Sequence, residues 1–137
     1  MSHDPPRVRR ALGGGVSKTP EGRVLKACLD FLAANGIFAV RVNVQGVPIH
    51  GQPGKFRPAP SRGIADIIGI ARGEVMKCDF EAVPLAVEVK SATGRQSPAQ
   101  RAFQQKWEAA GGVYILCRSV GDLSKGLREA GVSLRTR

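Results

Sequence analysis

The stretch Pro84-Leu85-Ala86-Val87-Glu88-Val89-Lys90 decides how this chain is read. A short apolar run of this length is a strand with a covered face, and Glu88 and Lys90 interrupt it two residues apart. Successive strand side chains alternate in direction, so these two share one face. A turn near Arg72-Gly73 would join this strand to an earlier one at 65–71 (ADIIGIA), where Asp66 stands at the start of an otherwise apolar run. A lone acid among Ile and Ala is costly to bury unless something neutralises it. Two partners meet that need: Lys90 in a plain ion pair, or a divalent metal held jointly by Asp66 and Glu88.

Outward from this pair the chain alternates helix and strand signals. Thr19-Pro20-Glu21 reads as a helix start, with Thr19 as N-cap, Pro20 at the first helical position and an acid in the first turn. Val24, Leu25, Cys28, Leu29 and Leu32 form one buried stripe at helical spacing, and Gly36 stops the helix. Residues 37–44 (IFAVRVNV) alternate as a strand, with Phe38, Val40, Val42 and Val44 on one side. Residues 45–62 are a long Pro/Gly loop or irregular hairpin. Ser97-Pro98-Ala99-Gln100 carries the capping-box pattern of a helix running to about Ala110, with Phe103, Trp107 and Ala110 buried. A strand at 113–117 and a helix at about 120–130 complete an α-β-β-β-α-β-α order. Core positions are expected for Phe31, Phe38, Phe103 and Trp107.

Composition bounds the function. The chain has 137 residues, about one domain's worth, with 21 Lys plus Arg against 11 Asp plus Glu and a formal charge of +10. So basic a domain points to a polyanionic partner, nucleic acid first. Three cysteines without a CxxC pair argue against a disulfide framework, and His3 and His50 alone cannot supply a zinc site or a histidine triad. Cys78 and Cys117 read as small apolar fillers and His50 as a solvated loop residue. GGGVSKT at 13–19 fails the phosphate-loop pattern, because Leu12 and Ser17 stand where glycines are required. With no apolar span or leader, the expectation is a soluble cytoplasmic domain of a bacterial or phage-infected cell. It is expected to comprise a flexible basic arm at 1–18, one domain at 19–131 and a basic tail at 132–137.

The two-residue spacing suits a hard cation: Glu88 offers a carboxylate, the backbone carbonyl of Val89 is a nearby oxygen, and Lys90 can reach a phosphate oxygen or an attacking water. Mg²⁺ prefers a few carboxylates with waters and substrate phosphate. Basic residues flank this centre. No acid falls between Asp30 and Asp66, where Arg41, Lys55, Arg57 and Arg62 occur, nor between Glu88 and Glu108, where Arg95, Arg101 and Lys106 join Lys90. These are candidate phosphate contacts. With few aromatics outside the expected core, Phe56 is the one candidate wedge, so backbone and shape recognition is expected rather than base reading.

Gly63-Ile64-Ala65-Asp66, then Glu88-Val89-Lys90, in this element order, resemble the PD-(D/E)XK nuclease superfamily. Glu21, the segment from Gly94 to Gln100, and the strand after Gly111 make the chain similar more narrowly to a virus-type replication-repair nuclease (VRR-NUC) domain, over roughly residues 19–123. Ala65 departs from the pattern, standing where the superfamily often has proline. The resemblance implies a restriction-endonuclease-like α/β core with a mixed central sheet flanked by helices. It implies Mg²⁺ or Mn²⁺ on Asp66, Glu88 and the Val89 carbonyl, Lys90 as catalytic, Glu21 as an additional acid and Gln100 orienting the lysine or substrate. It further implies hydrolysis of structured DNA, most simply by a homodimeric Holliday-junction resolvase. A non-catalytic basic nucleic-acid-binding module and a sequence-specific restriction-type endonuclease are the competing readings.

Overall fold

The computed structural model describes residues 19–42, 47–57, 62–75 and 79–135. The basic arm at 1–18 and Cys78 lie outside the described residues. Helix α1 (Pro20–Ala34) starts as its sequence dictates, with the Thr19 hydroxyl accepting from the amide of Gly22 at 3.1 Å. Strand β1 (Phe38–Arg41) follows, then a short hairpin of β2 (Val47–Pro48) and β3 (Phe56–Arg57) inside the Pro/Gly segment. Strands β4 (Ile67–Val75) and β5 (Asp79–Val89), helix α2 (Pro98–Ala109), strand β6 (Val113–Cys117) and helix α3 (Val120–Glu129) complete the order. Four strands form a mixed sheet in the order β1-β4-β5-β6, antiparallel except for the parallel β5–β6 pair. The hairpin β2–β3 is a separate two-stranded sheet.

Alternation along β5 sorts the layers. Leu85, Val87 and Val89 are buried with Cys28 and Leu32 of α1 and Leu123 and Leu127 of α3, so those two helices cover one face. Within this core the sulfurs of Cys28 and Cys117 lie 3.6 Å apart. Cys117 thus has the filler position expected of it. Ala86 and Glu88 face the other way, toward α2, whose Phe103 stacks on Trp107 at 5.6 Å and faces Tyr114 of β6 at 6.3 Å.

Several expectations need correcting. Strand β1 is turned over: Ile37 and Ala39 face the core, while Phe38 is 72% exposed and Val40 47%. Apolar residues occupy both sides of this strand, so a period of two cannot choose the face. The turn expected near Arg72-Gly73 is absent, and β4 runs on to Val75. Gly73 pairs with Glu81 in mid-strand. Strand β5 likewise begins five residues before Pro84. That proline falls one residue before the β6 pairing begins at Leu85, at a ladder edge that tolerates a missing N–H. Ala110 caps α2 and is exposed, and Phe103 and Trp107 are half-buried. Beyond α3, Val132 is buried and bridges to Gly73, and the Arg135 amide donates to Asn35 Oδ1 at 2.8 Å.

Candidate active site

Asp66 sits just before β4, between the ends of β1 and β5. Its carbonyl accepts from the Val42 amide at 2.8 Å, continuing the β1 pairing. Its side-chain Oδ2 accepts from the Val89 amide at 2.8 Å, taking the place of a strand partner just before β4 begins. The approach to Asp66 is fixed by Gly63. Its φ is +76°, and a Cβ there would lie 2.3 Å from the Ala99 backbone, so only glycine lets this segment pass under the start of α2.

Glu88 is the most buried charged group among the described residues, only 2% exposed. Its Oε1 accepts from Gln100 Nε2 at 2.8 Å and lies 3.6 Å from the Lys90 ammonium. Its Oε2 is buried and meets no hydrogen-bond partner among the described residues. Burial first, and the Asp66 carboxylate second, push the Glu88 carboxyl up to about 7, against the opposing pull of Lys90. Lys90 reaches only one oxygen of Glu88, and the other buried oxygen lacks a donor among the described residues. That donor set fits a hard divalent cation, which takes carboxylate and carbonyl oxygens. Among the described residues no three His, Cys, Asp or Glu side chains cluster around one point, so the pair Asp66 and Glu88 is what these residues offer a cation.

Beside this pair lies a cleft of about 280 Å³, lined by Thr19, Glu21, Gly22, Leu25, Arg41, Asp66 and Val89. Four of the expected residues, Asp66, Glu88, Lys90 and Gln100, come together around the Val89 backbone, and Glu21 shares the cleft with Asp66. Glu21 is exposed on the cleft wall rather than in contact with the pair. Gln100, expected to orient the lysine or substrate, donates to Glu88 and at the same time accepts from the Ser97 amide at 2.8 Å in its capping box. Of the basic residues, Arg41 lines the cleft, Arg62 precedes Gly63, and Arg95 and Arg101 bracket the start of α2, all exposed. Lys55 is exposed on the β2–β3 hairpin. The side chains of Phe56 and Arg57 lie outside what is described.

One residue was not legible in the sequence. Arg118 donates to the carbonyls of Ser91 and Gly94, in the segment leaving Lys90. The contact spans more than twenty residues and has no local pattern.

The mixed sheet with helices on both faces and acids at the β4 start and β5 end places the chain in the restriction-endonuclease-like α/β class. Among solved structures it is similar to one described as "VRR_NUC domain", with a TM-score of 0.52 and 20% identity over 81% of this chain and 96% of that chain. At that identity the likeness shows the shared fold. No family model matches the chain, and no curated protein does. No helix among the described residues is long and apolar enough to cross a membrane.

Proposed function

We propose that this chain is a divalent-metal-dependent, structure-specific DNA endonuclease that cuts four-way junctions as a homodimer. The observation that carries this reading is the setting of Glu88: buried, without a partner at Oε2 among the described residues, and pushed up first by burial and then by the Asp66 carboxylate, against the pull of Lys90. A plain Glu88–Lys90 ion pair gives no reason for a buried carboxylate oxygen to be left without a donor.

Asp66, Glu88 and the Val89 carbonyl would hold Mg²⁺ or Mn²⁺, with Glu21 as an additional acid on the cleft wall. The bound ion supplies electrostatic polarisation of the phosphodiester and a water of lowered pKa. The rest falls to the chain's own side chains. Gln100 keeps Glu88 oriented, and the Val89 amide keeps Asp66 oriented. Lys90, its side chain 15% exposed, presents a proton donor to a phosphate oxygen or the attacking water. Arg41, Arg62, Arg95 and Arg101 track the DNA backbone, and Lys55 and Arg57 extend that contact along the hairpin. Twofold assembly suits a substrate with two strands to cut. Phe38, Val40 and Ile70 support it, since these exposed large apolar residues adjoin on one sheet face, Phe38 opposite Ile70.

The test offers four-way junction, flap and linear duplex DNA with Mg²⁺, Mn²⁺ or EDTA. Metal-dependent junction cleavage that Asp66→Ala and Lys90→Ala abolish supports the reading. Binding without cleavage under every metal identifies a non-catalytic module, and cutting of duplex at one short sequence identifies a restriction-type enzyme. Sedimentation showing a strict monomer at micromolar concentration removes the dimer.

A further inference from the structure

We propose that Arg118 is a positioning residue for this site, fixing the turn that joins the strand end bearing Lys90 to the helix start bearing Gln100. The proposal rests on the nuclease reading above. Six residues, 91–96, separate Lys90 from the Ser97 N-cap. They begin with a tight turn, in which the Gly94 amide donates to both the carbonyl of Ser91 at 3.2 Å and its hydroxyl at 3.0 Å. The turn packs on the lysine stem: a Cβ on Gly94 would lie 3.5 Å from Lys90 Cδ.

Arg118 binds this turn from outside. A single nitrogen, Nη1, donates to the carbonyl of Ser91 and to that of Gly94, the latter at 2.7 Å. The residue is exposed, yet among the described residues its guanidinium pairs with no carboxylate. An exposed arginine that spends its donors on two carbonyls of one turn serves the geometry of that turn.

Its own backbone is firmly held. The Cys117 carbonyl accepts from the Lys90 amide at 3.0 Å, so Arg118 begins where the pairing of the catalytic strand ends. Its amide donates to Asp122 Oδ2 at 2.9 Å in the first turn of α3. Arg118 therefore ties the turn to a post fixed by both β6 and α3. Lys90 and Gln100 flank Glu88 from opposite ends of this connection, and a fixed turn keeps them in one frame.

The decisive variant is Arg118→Met, which keeps an apolar stem of similar length but removes the nitrogen that donates to both carbonyls. Two measurements on the full chain are needed: steady-state junction cleavage, and amide hydrogen exchange over residues 91–97. The expected result is a kcat lower by roughly tenfold to a hundredfold, as small misplacements of catalytic groups cost. KM should stay within about twofold, the melting transition should be near that of the wild type, and exchange should be faster across 91–97. A raised KM with kcat unchanged would mean that Arg118 is a phosphate contact and would overturn the proposal. If the wild type cuts no DNA, the nuclease reading fails separately, and the exchange data still decide whether Arg118 holds the turn. Unchanged exchange at 91–97 overturns the proposal in either case.

Discussion

The side-chain amide of Gln100 joins Glu88 to the first turn of α2: its nitrogen donates to Glu88 Oε1 at 2.8 Å, and its oxygen accepts from the Ser97 amide at the same distance. One residue thus serves as helix cap and as carboxylate anchor. Gln100→Ala removes both and leaves the buried Glu88 with one donor fewer, so it should cost about 1–3 kcal/mol in urea unfolding. Gln100→Glu separates the roles. It keeps an oxygen for Ser97 but sets a third carboxylate against Glu88, so its stability should approach that of the wild type at pH 5 and fall below it at pH 8. Equal deficits at both pH values would show that only the cap matters.

Glu88 makes the metal-free protein sensitive to pH. Its carboxyl is pushed up to about 7 from an ordinary 4.5, first by burial and then by Asp66. Between those values the folded chain holds a proton that the unfolded chain has released. Stability is therefore full for this group below about 4.5 and falls as pH rises through 7, by about 3 kcal/mol in all. Urea midpoints in EDTA at pH 5, 6, 7 and 8 should show this decline in the wild type and a flatter profile in Glu88→Gln. Saturating Mg²⁺ or Mn²⁺ should restore wild-type stability at pH 8 and leave Glu88→Gln unmoved. Parallel profiles for the two proteins would refute the account of the buried carboxylate.

The features legible in sequence are those with local causes. The capping box at Ser97 and Gln100 and the Thr19 N-cap are short-range hydrogen-bond patterns. The shared face of Glu88 and Lys90 follows from strand alternation alone. The length of the β4–β5 ribbon was hidden because Gly73 and Pro84 resemble breakers, and only their neighbours across the sheet show that neither interrupts it. The face of β1 is not legible because Ile37, Phe38, Ala39 and Val40 are all apolar, so only packing under α1 selects the inner pair. Within the site, the orphaned Oε2 of Glu88 and the Arg118 clamp depend on groups distant in sequence.

Asp66 is both a charge and a backbone acceptor, and two substitutions should distinguish these roles. Asp66→Asn retains an oxygen for the Val89 amide and removes the like charge facing Glu88. Asp66→Ala leaves that amide without its partner. Both should abolish metal-dependent cleavage. In EDTA, Asp66→Ala should be less stable than Asp66→Asn by about 1–3 kcal/mol, the cost of an unsatisfied buried donor. At pH 8, Asp66→Asn should at least match the wild type, because Glu88 ionises there without a repelling neighbour. Equal stability of the two variants would mean that the Val89 amide finds another acceptor.

Tyr114 offers a direct optical check on the packing of α2 against β6. It is the one tyrosine in the chain, so phenolate absorbance reports it alone. Its hydroxyl accepts from Gln96 Nε2 at 3.1 Å, and its ring faces Phe103. Burial pushes the phenol up to about 12, with the acids Glu88, Asp66 and Glu108 adding to that rise and the Gln96 bond opposing it. The unfolded chain would release this proton near 10, so the contribution of Tyr114 to stability is full below that pH and is lost as pH climbs toward 12. Titration at 295 nm should give a midpoint well above 10 in the folded protein and near 10 in urea. Gln96→Ala should raise the folded midpoint further, because it removes the donor that favours the phenolate. A folded midpoint near 10, with circular dichroism unchanged through the titration, would show that α2 does not cover Tyr114 as described.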